Sequence, residues 1–331
     1  MNTTIGRRQL LQSTGASLAA LALPGWAQSA TYPTRAVKVV VGSAPGGPTD
    51  FMARLVADHF ARAFGQGFVV DNKPGASGMP AADNVVKSTP DGYTLLVSGA
   101  TAISVAPHLF PKITYDPMKS LQPLGMLGAG AYVLVVHPSV KARSLAELVQ
   151  IAKAKPEGLA FGSGGIGSGS HLCTELFCRA TGTKMVHVPY KGDAQAFADL
   201  MSGQVQVQFA APNVVVGAAK DGRVRALGIT SSDRLTALPD VPAIKESVAD
   251  FEYLGWVGLF APVGTPAAIV DVLAAQWARD RQEASVRGKL EGLGMNAPDR
   301  LADRNALDAF VRQDYVRMGA LIRDLGITSN S

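Results

Sequence analysis

The chain has 331 residues, of which 47% are hydrophobic and 17% charged, with a formal charge of +5 and two cysteines. That length suits two domains of roughly 100–200 residues each, with a large core. No run of Lys or Arg exceeds two residues, so the charge forms no basic stripe and no nucleic acid is expected as a partner.

Residues 1–27 read as an export signal. Arg7-Arg8 precede an apolar run through Leu23, and Gly25 and Ala27 occupy the −3 and −1 positions of a cut after Ala27. The paired arginines suggest the twin-arginine route. The apolar run is shorter than the ~20 residues a membrane span needs. Cleavage removes only Arg7 and Arg8, leaving 29 basic against 26 acidic residues in a protein expected in the periplasm. An oxidising compartment permits a disulfide. Cys173 and Cys178, however, fall about 140° apart on one predicted helix, out of bridging reach. Both read as packing residues.

Along the mature chain, Ala36 to Val41 predicts a strand and Pro45 to Asp50 a turn into a helix. Met52, Leu55, Val56, Phe60 and Ala63 give that helix its apolar face, with Thr49 or Asp50 as N-cap. Phe68 to Val70 and Tyr93 to Val97 are further strands, with a helix over 81–86 between them. The repeated strand–loop–helix order implies a parallel sheet flanked by helices. A second unit starts with a strand at Tyr132 to Val136. Ser144 and Glu147 then mark a capping box. Leu159 to Phe161 leads into a helix carrying Leu172, Cys173, Leu176 and Phe177 and stopping near Gly182. Strands follow at Val186 to Tyr190, Val205 to Phe209 and Val224 to Ile229, with Ala210 to Asn213 as a loop. Trp256 to Ala261 is an apolar strand, Pro266 opens a helix through Trp277, and a stripe from Leu307 to Leu325 marks a long final helix.

Two glycine-rich junctions carry the chemistry. Gly162 to Ser170 places five Gly and three Ser between a strand and a helix. Pro45 to Asp50 stands at an equivalent junction. Bare backbone N–H groups at a helix N-terminus suit an anion, phosphate or carboxylate. Loops at the carboxyl ends of parallel strands face the ligand crevice, so two such loops can close on one anion without Arg or Lys.

Rival readings are weaker. Gly162, Gly164 and Gly167 match a dinucleotide fingerprint, but the ribose-binding acid is missing where Val188, Pro189 and Tyr190 stand. There is no Gly-x-x-x-x-Gly-Lys-Ser/Thr phosphate loop. A secreted α/β hydrolase using His171 and a Ser is the alternative from another class, yet no Gly-x-Ser-x-Gly is present. The five histidines show no zinc spacing. No metal or cofactor is expected.

Eight segments in order carry a resemblance over nearly the whole mature chain. They are Ala44 to Asp50, Asp71 to Gly78, Pro90 to Leu96, Val135 to Ser139, Gly162 to Leu172 with Glu175 to Phe177, His187 to Gly192, Arg225 to Ser231 with Leu238 to Pro242, and Ala261 to Pro266. Together they resemble the extracytoplasmic solute receptors of the tripartite tricarboxylate transporter family, the Bug receptors. The resemblance implies an α/β type II periplasmic-binding-protein fold, with a hinge and an interdomain cleft. Residues 31–131 plus 231–331 would form the first domain and 132–230 the second. It implies a small carboxylate ligand, partly held through water, with no catalysis. The first loop would contribute Gly46, Gly47, Pro48, Thr49 and Asp50, and the second Gly164, Gly165, Gly167, Ser168 and Ser170. Ser98, Thr101, Tyr190 and Asp193 would line the same cleft. The implied partners are the permease subunits of such a transporter, or a sensor, with the receptor a monomer. Gly42 to Ala44, Phe209 to Asn213, Asp314 and Met318 depart from the family pattern.

Overall fold

The computed structural model describes residues 32–329, so the export-signal reading lies outside the described residues. The chain opens with β1 (Val37–Val41), α1 (Pro48–Phe64), β2 (Phe68–Asn72), α2 (Met79–Val86) and β3 (Thr94–Gly99). The long β4 (Leu121–Ala131) runs almost directly into β5 (Val133–Val136). Next come α3 (Leu145–Ala154), β6 (Ala160–Ser163), α4 (Gly169–Thr181), β7 (Val186–Pro189) and α5 (Asp193–Ser202). They are followed by β8 (Val207–Ala210), α6 (Pro212–Lys220) and β9 (Arg225–Ile229). The last part holds β10 (Leu254–Pro262), α7 (Ala267–Asp280), α8 (Ala284–Gly292), β11 (Met295–Asn296) and α9 (Arg304–Leu325).

The strands form two sheets, ordered β11-β4-β10-β3-β1-β2 and β7-β6-β8-β5-β9. In the first, β1 runs parallel to β2 and β3, as the strand–helix alternation predicts. But β10 lies antiparallel between β3 and β4, so the sheet is mixed. The second sheet pairs β6 parallel with β7 and β8, while β5 runs antiparallel to β8 and β9.

Strand β4 escapes a sequence reading because Pro123, Gly125, Gly128 and Gly130 look like a loop. Each of these three glycines is a packing necessity. A Cβ on Gly125 would lie 2.5 Å from Trp277, one on Gly128 2.6 Å from Met52, and one on Gly130 2.7 Å from the Gly294 carbonyl. The bare strand lets α7, α1 and β11 approach closely. Two more expectations need correcting. Helix α1 starts at Pro48 with Gly47 as N-cap, not at Thr49 or Asp50, because Pro needs no N–H donor in the first turn. The segment after β8 is helix α6, with Pro212 again at its first position.

The chain passes between the sheets at Tyr132 and again between β9 and β10. Thr230 ties these two crossings together. Its Oγ1 accepts the Tyr132 N–H at 2.8 Å and donates to the Tyr253 carbonyl at 2.6 Å. Its own N–H donates to the Tyr132 carbonyl, and its carbonyl accepts the Tyr253 N–H. Thr230 is fully buried, so each bond satisfies a group that water cannot reach. Between the crossings, Ile244, Phe251 and Tyr253 join the core beside the second sheet, with Leu145, Phe177 and Phe209. Helix α9 serves both cores. Leu307 and Val311 pack with Trp256 and Leu96, whereas Met318 and Ile322 pack with Leu134 and Phe161.

Candidate functional site

The loop from β1 to α1 is fixed by Asp50. Its buried carboxylate accepts the Gly46 N–H at 2.9 Å, the Asn72 amide at 2.8 Å, and the Arg54 guanidinium at 3.0 and 3.1 Å. Burial alone would raise its pKa, but the Arg54, Asn72 and Gly46 donors together hold the carboxyl below its ordinary range. With its acceptor sites occupied, Asp50 shapes the loop and offers little to a ligand. Gly47 caps α1 with no side chain, which leaves first-turn N–H groups open.

The loop from β6 to α4 is built on glycines with positive φ, Gly165 at +116° and Gly167 at +75°. The Gly167 N–H donates to His171 Nδ1 at 3.0 Å, and the Gly165 N–H to Ser163 Oγ at 3.1 Å. Ser168 caps α4 by accepting the His171 N–H. The Gly164 N–H donates to Ser170 Oγ, which in turn donates to Asp193 Oδ1 at 2.5 Å. Under the loop, His171 and His187 stack at 4.0 Å with Phe161 beyond them.

Burial, together with the neighbouring His187, depresses the His171 pKa from 6.5 to about 3. The stability this neutral imidazole contributes is complete above the unfolded value near 6.5. It is lost as pH falls toward 3, because the unfolded chain takes up the proton first. We expect acid titration across that window to lower stability by up to about 1.4 kcal/mol per pH unit from this residue. Denaturant melts of the wild type and His171→Gln should diverge there, and parallel curves would refute it.

The two loops meet at a cleft of about 220 Å³. Four helix N-termini reach its wall, through Pro48 and Thr49 of α1, Ser168 and Gly169 at α4, Asp193 of α5, and Ala211 and Pro212 at α6. Three of the four (α1, α5 and α6) have no side-chain cap. Among the described residues, no Lys, Arg or His lines the cleft, and Asp193 is the only charged residue that does. Backbone dipoles are therefore its main source of positive potential.

Of the sequence-predicted residues, Pro48, Thr49, Thr101, Ser168 and Asp193 line this cleft. Others support it from behind. Ser98 and Ser170 are buried, and Gly167 faces Leu109 so closely that a Cβ would lie 2.5 Å from it. Tyr190 turns its hydroxyl to Asp199 at 2.8 Å. The sequence reading missed Tyr132, Tyr253, Trp256 and Met295 on the wall. Trp256 is held by its Nε1–H donating to buried Asp314 at 2.8 Å. The departures at Asp314 and in the 209–213 segment thus both reach the cleft, one through Trp256 and one through Pro212. A Cβ on Gly294 would lie 2.5 Å from Pro212, so that glycine seats α6 against the opposite side. Ser77 Oγ spans a second place, donating to the Ile166 carbonyl at 3.2 Å.

For the hydrolase reading, Ser168 of this loop faces the cleft, but among the described residues no Ser–His hydrogen bond of the loop does. His171 is occupied by the Gly167 N–H. Ser163 does lie 2.6 Å from His187 Nε2, but it is fully buried and holds Gly165. Cys173 and Cys178 are free and buried. Among the described residues, His59, Asp280 and Glu283 have metal-ligand spacing, and none of them lines the cleft. No described helix is long and apolar enough to cross a membrane.

Two sheets flanked by helices, a double crossover and a cleft lined by helix N-termini define a type II periplasmic binding protein. The sequence profile of the tripartite tricarboxylate transporter family receptor matches residues 52–327, and the chain belongs to that family. Among solved structures, Rpa4515 of R. palustris with adipate has 32% identity and a TM-score of 0.83, over 90% of this chain and 99% of that one. MatC of Rhodopseudomonas palustris with bound malate has 33% identity and a TM-score of 0.80, over 88% and 100%. The periplasmic binding protein BugD has 31% identity and a TM-score of 0.81, over 90% and 99%.

Proposed function

We propose that this chain is a periplasmic receptor that captures a small carboxylate in the cleft and releases it unchanged. The observation that carries this is the convergence of four helix N-termini on a cleft that, among the described residues, no cationic side chain lines. Such a site holds a carboxylate by backbone N–H groups and small hydroxyls, with room for bridging water. Its volume, below the usual ~300–1,000 Å³ of drug-sized pockets, suits a small acid. The relatives with adipate and malate support the same chemistry.

The ligand contacts would come from Gly46 to Thr49, Thr101 and Ser168, with Asp50 and Ser170 holding the loops. The sequence reading ends the second lobe at residue 230; because Ile244, Phe251 and Tyr253 pack in the core beside the second sheet, we draw the lobes instead as 35–131 with 254–329 and 132–253, hinged where Thr230 joins Tyr132 and Tyr253. Export directed by residues 1–27 is followed by cleavage near Ala27. The loaded monomer delivers its ligand to the permease of a tripartite tricarboxylate-type transporter, or to a sensor.

Thermal shift against mono-, di- and tricarboxylates and aromatic acids tests the reading. A one-site ligand at 100 times its Kd stabilises the folded state by about 2.7 kcal/mol. If no carboxylate raises Tm, the reading fails.

A further inference from the structure

Asp193 stands out on the cleft wall. A receptor built only for a plain carboxylate gains nothing from a second carboxylate beside it. The residue is exposed to the cleft and begins α5, where a negative charge suits the helix dipole. That accounts for its tolerance, not for its environment. The donors that reach it are the Ser170 hydroxyl, at 2.5 Å from Oδ1, and the Gly164 N–H, both neutral. No Lys, Arg or His of the described residues pairs with it, and none lines the cleft. In the free protein, cleft water can solvate this charge. Once a ligand displaces that water and the lobes close, an unpaired carboxylate becomes expensive, more so next to another.

We propose that Asp193 pairs with a primary ammonium on the ligand, so that the receptor takes a small amino acid in preference to the matching plain acid. This rests on the carboxylate reading above. The carboxylate end of the ligand meets the N-termini of α1, α4 and α6, and the ammonium end meets Asp193 at the start of α5. The bound zwitterion then leaves no net uncompensated charge beyond what the helix dipoles satisfy. Ser170 fixes the direction of the Asp193 carboxylate and links it to the Gly164 loop, so both ends of the ligand act on one hydrogen-bonded unit.

Calorimetry on the purified mature protein at neutral pH tests this with matched probes: glutamate against glutarate, aspartate against succinate, and 4-aminobutyrate against butyrate. The expected result is that the amino member of at least one pair binds about 30-fold or more tightly than its plain partner. Asp193→Asn should weaken the amino member far more than its plain partner and so remove the preference, with a circular-dichroism melt reporting that the variant is folded. The wild-type comparison stands by itself should the variant not fold. If plain acids bind the wild type as tightly as their amino partners, or if Asp193→Asn keeps the preference, the ammonium pairing is wrong while the carboxylate site survives. If neither kind of acid binds either protein, both proposals fall.

Discussion

Gly47→Val should weaken carboxylate binding by about 100-fold or more while leaving the fold intact. In the proposed binding mode the α1 N-terminus meets the ligand through backbone N–H groups, and a valine side chain at position 47 would stand next to the cleft-lining Pro48 and Thr49. Losing or lengthening two charge-assisted hydrogen bonds, each worth about 1.5–3 kcal/mol, accounts for that factor. The fold tolerates the change because φ at Gly47 is −78°, and the nearest atom to an added Cβ is the Ala44 carbonyl oxygen at 3.7 Å. Replacing a glycine N-cap by a β-branched residue costs about 1 kcal/mol, or a few degrees in Tm. Calorimetry with the carboxylate found by thermal shift decides the matter. Wild-type affinity in this variant would remove the first loop from the anion site.

The second large effect falls on Asp50. Asp50→Ala deletes a carboxylate whose side chain is 3% exposed and whose partners come from the loop, the helix and β2. Gly46 and Asn72 lose their acceptor, whereas Arg54, 55% exposed, can turn to water. The expected loss is about 2–4 kcal/mol, or roughly 5–15 °C in Tm. The pH dependence has a definite sign. The folded pKa is depressed, so the stability Asp50 adds is present above its unfolded value near 4 and is lost as pH falls through the lowered folded value. The gap between wild type and variant should therefore be constant near neutrality and shrink below about pH 4. A gap that persists unchanged in strong acid would show that the carboxylate charge is not what holds the loop.

These two neighbours differ in how legible they are. Glycine at the strand-to-helix junction can be read directly, because an unhindered backbone at a helix N-terminus has few uses besides anion contact. Asp50 cannot. Its carboxylate looks like a ligand contact in a linear motif, and only the approach of Asn72, 22 positions away, turns it into a scaffold. Tyr190 shows the same limit, since its position after β7 suggests the cleft but its hydroxyl meets Asp199. Strand β4 is hidden for the opposite reason. Its glycines are chosen by Trp277, Met52 and Met295, which lie far off in sequence.

By itself, the sequence determined the βα alternation, the two glycine-rich junctions, the apolar stripe of α9 and the family resemblance. These are local properties: periodicity, capping, turn chemistry and motif order. Only the tertiary structure decided what depends on distant partners. It brought the third and fourth helix N-termini to the cleft. It inserted β10 antiparallel between β3 and β4. It divided the α9 stripe between two cores. It tied both crossings to Thr230. Each of these arises where residues more than 50 positions apart come into contact, and no local pattern records such contacts.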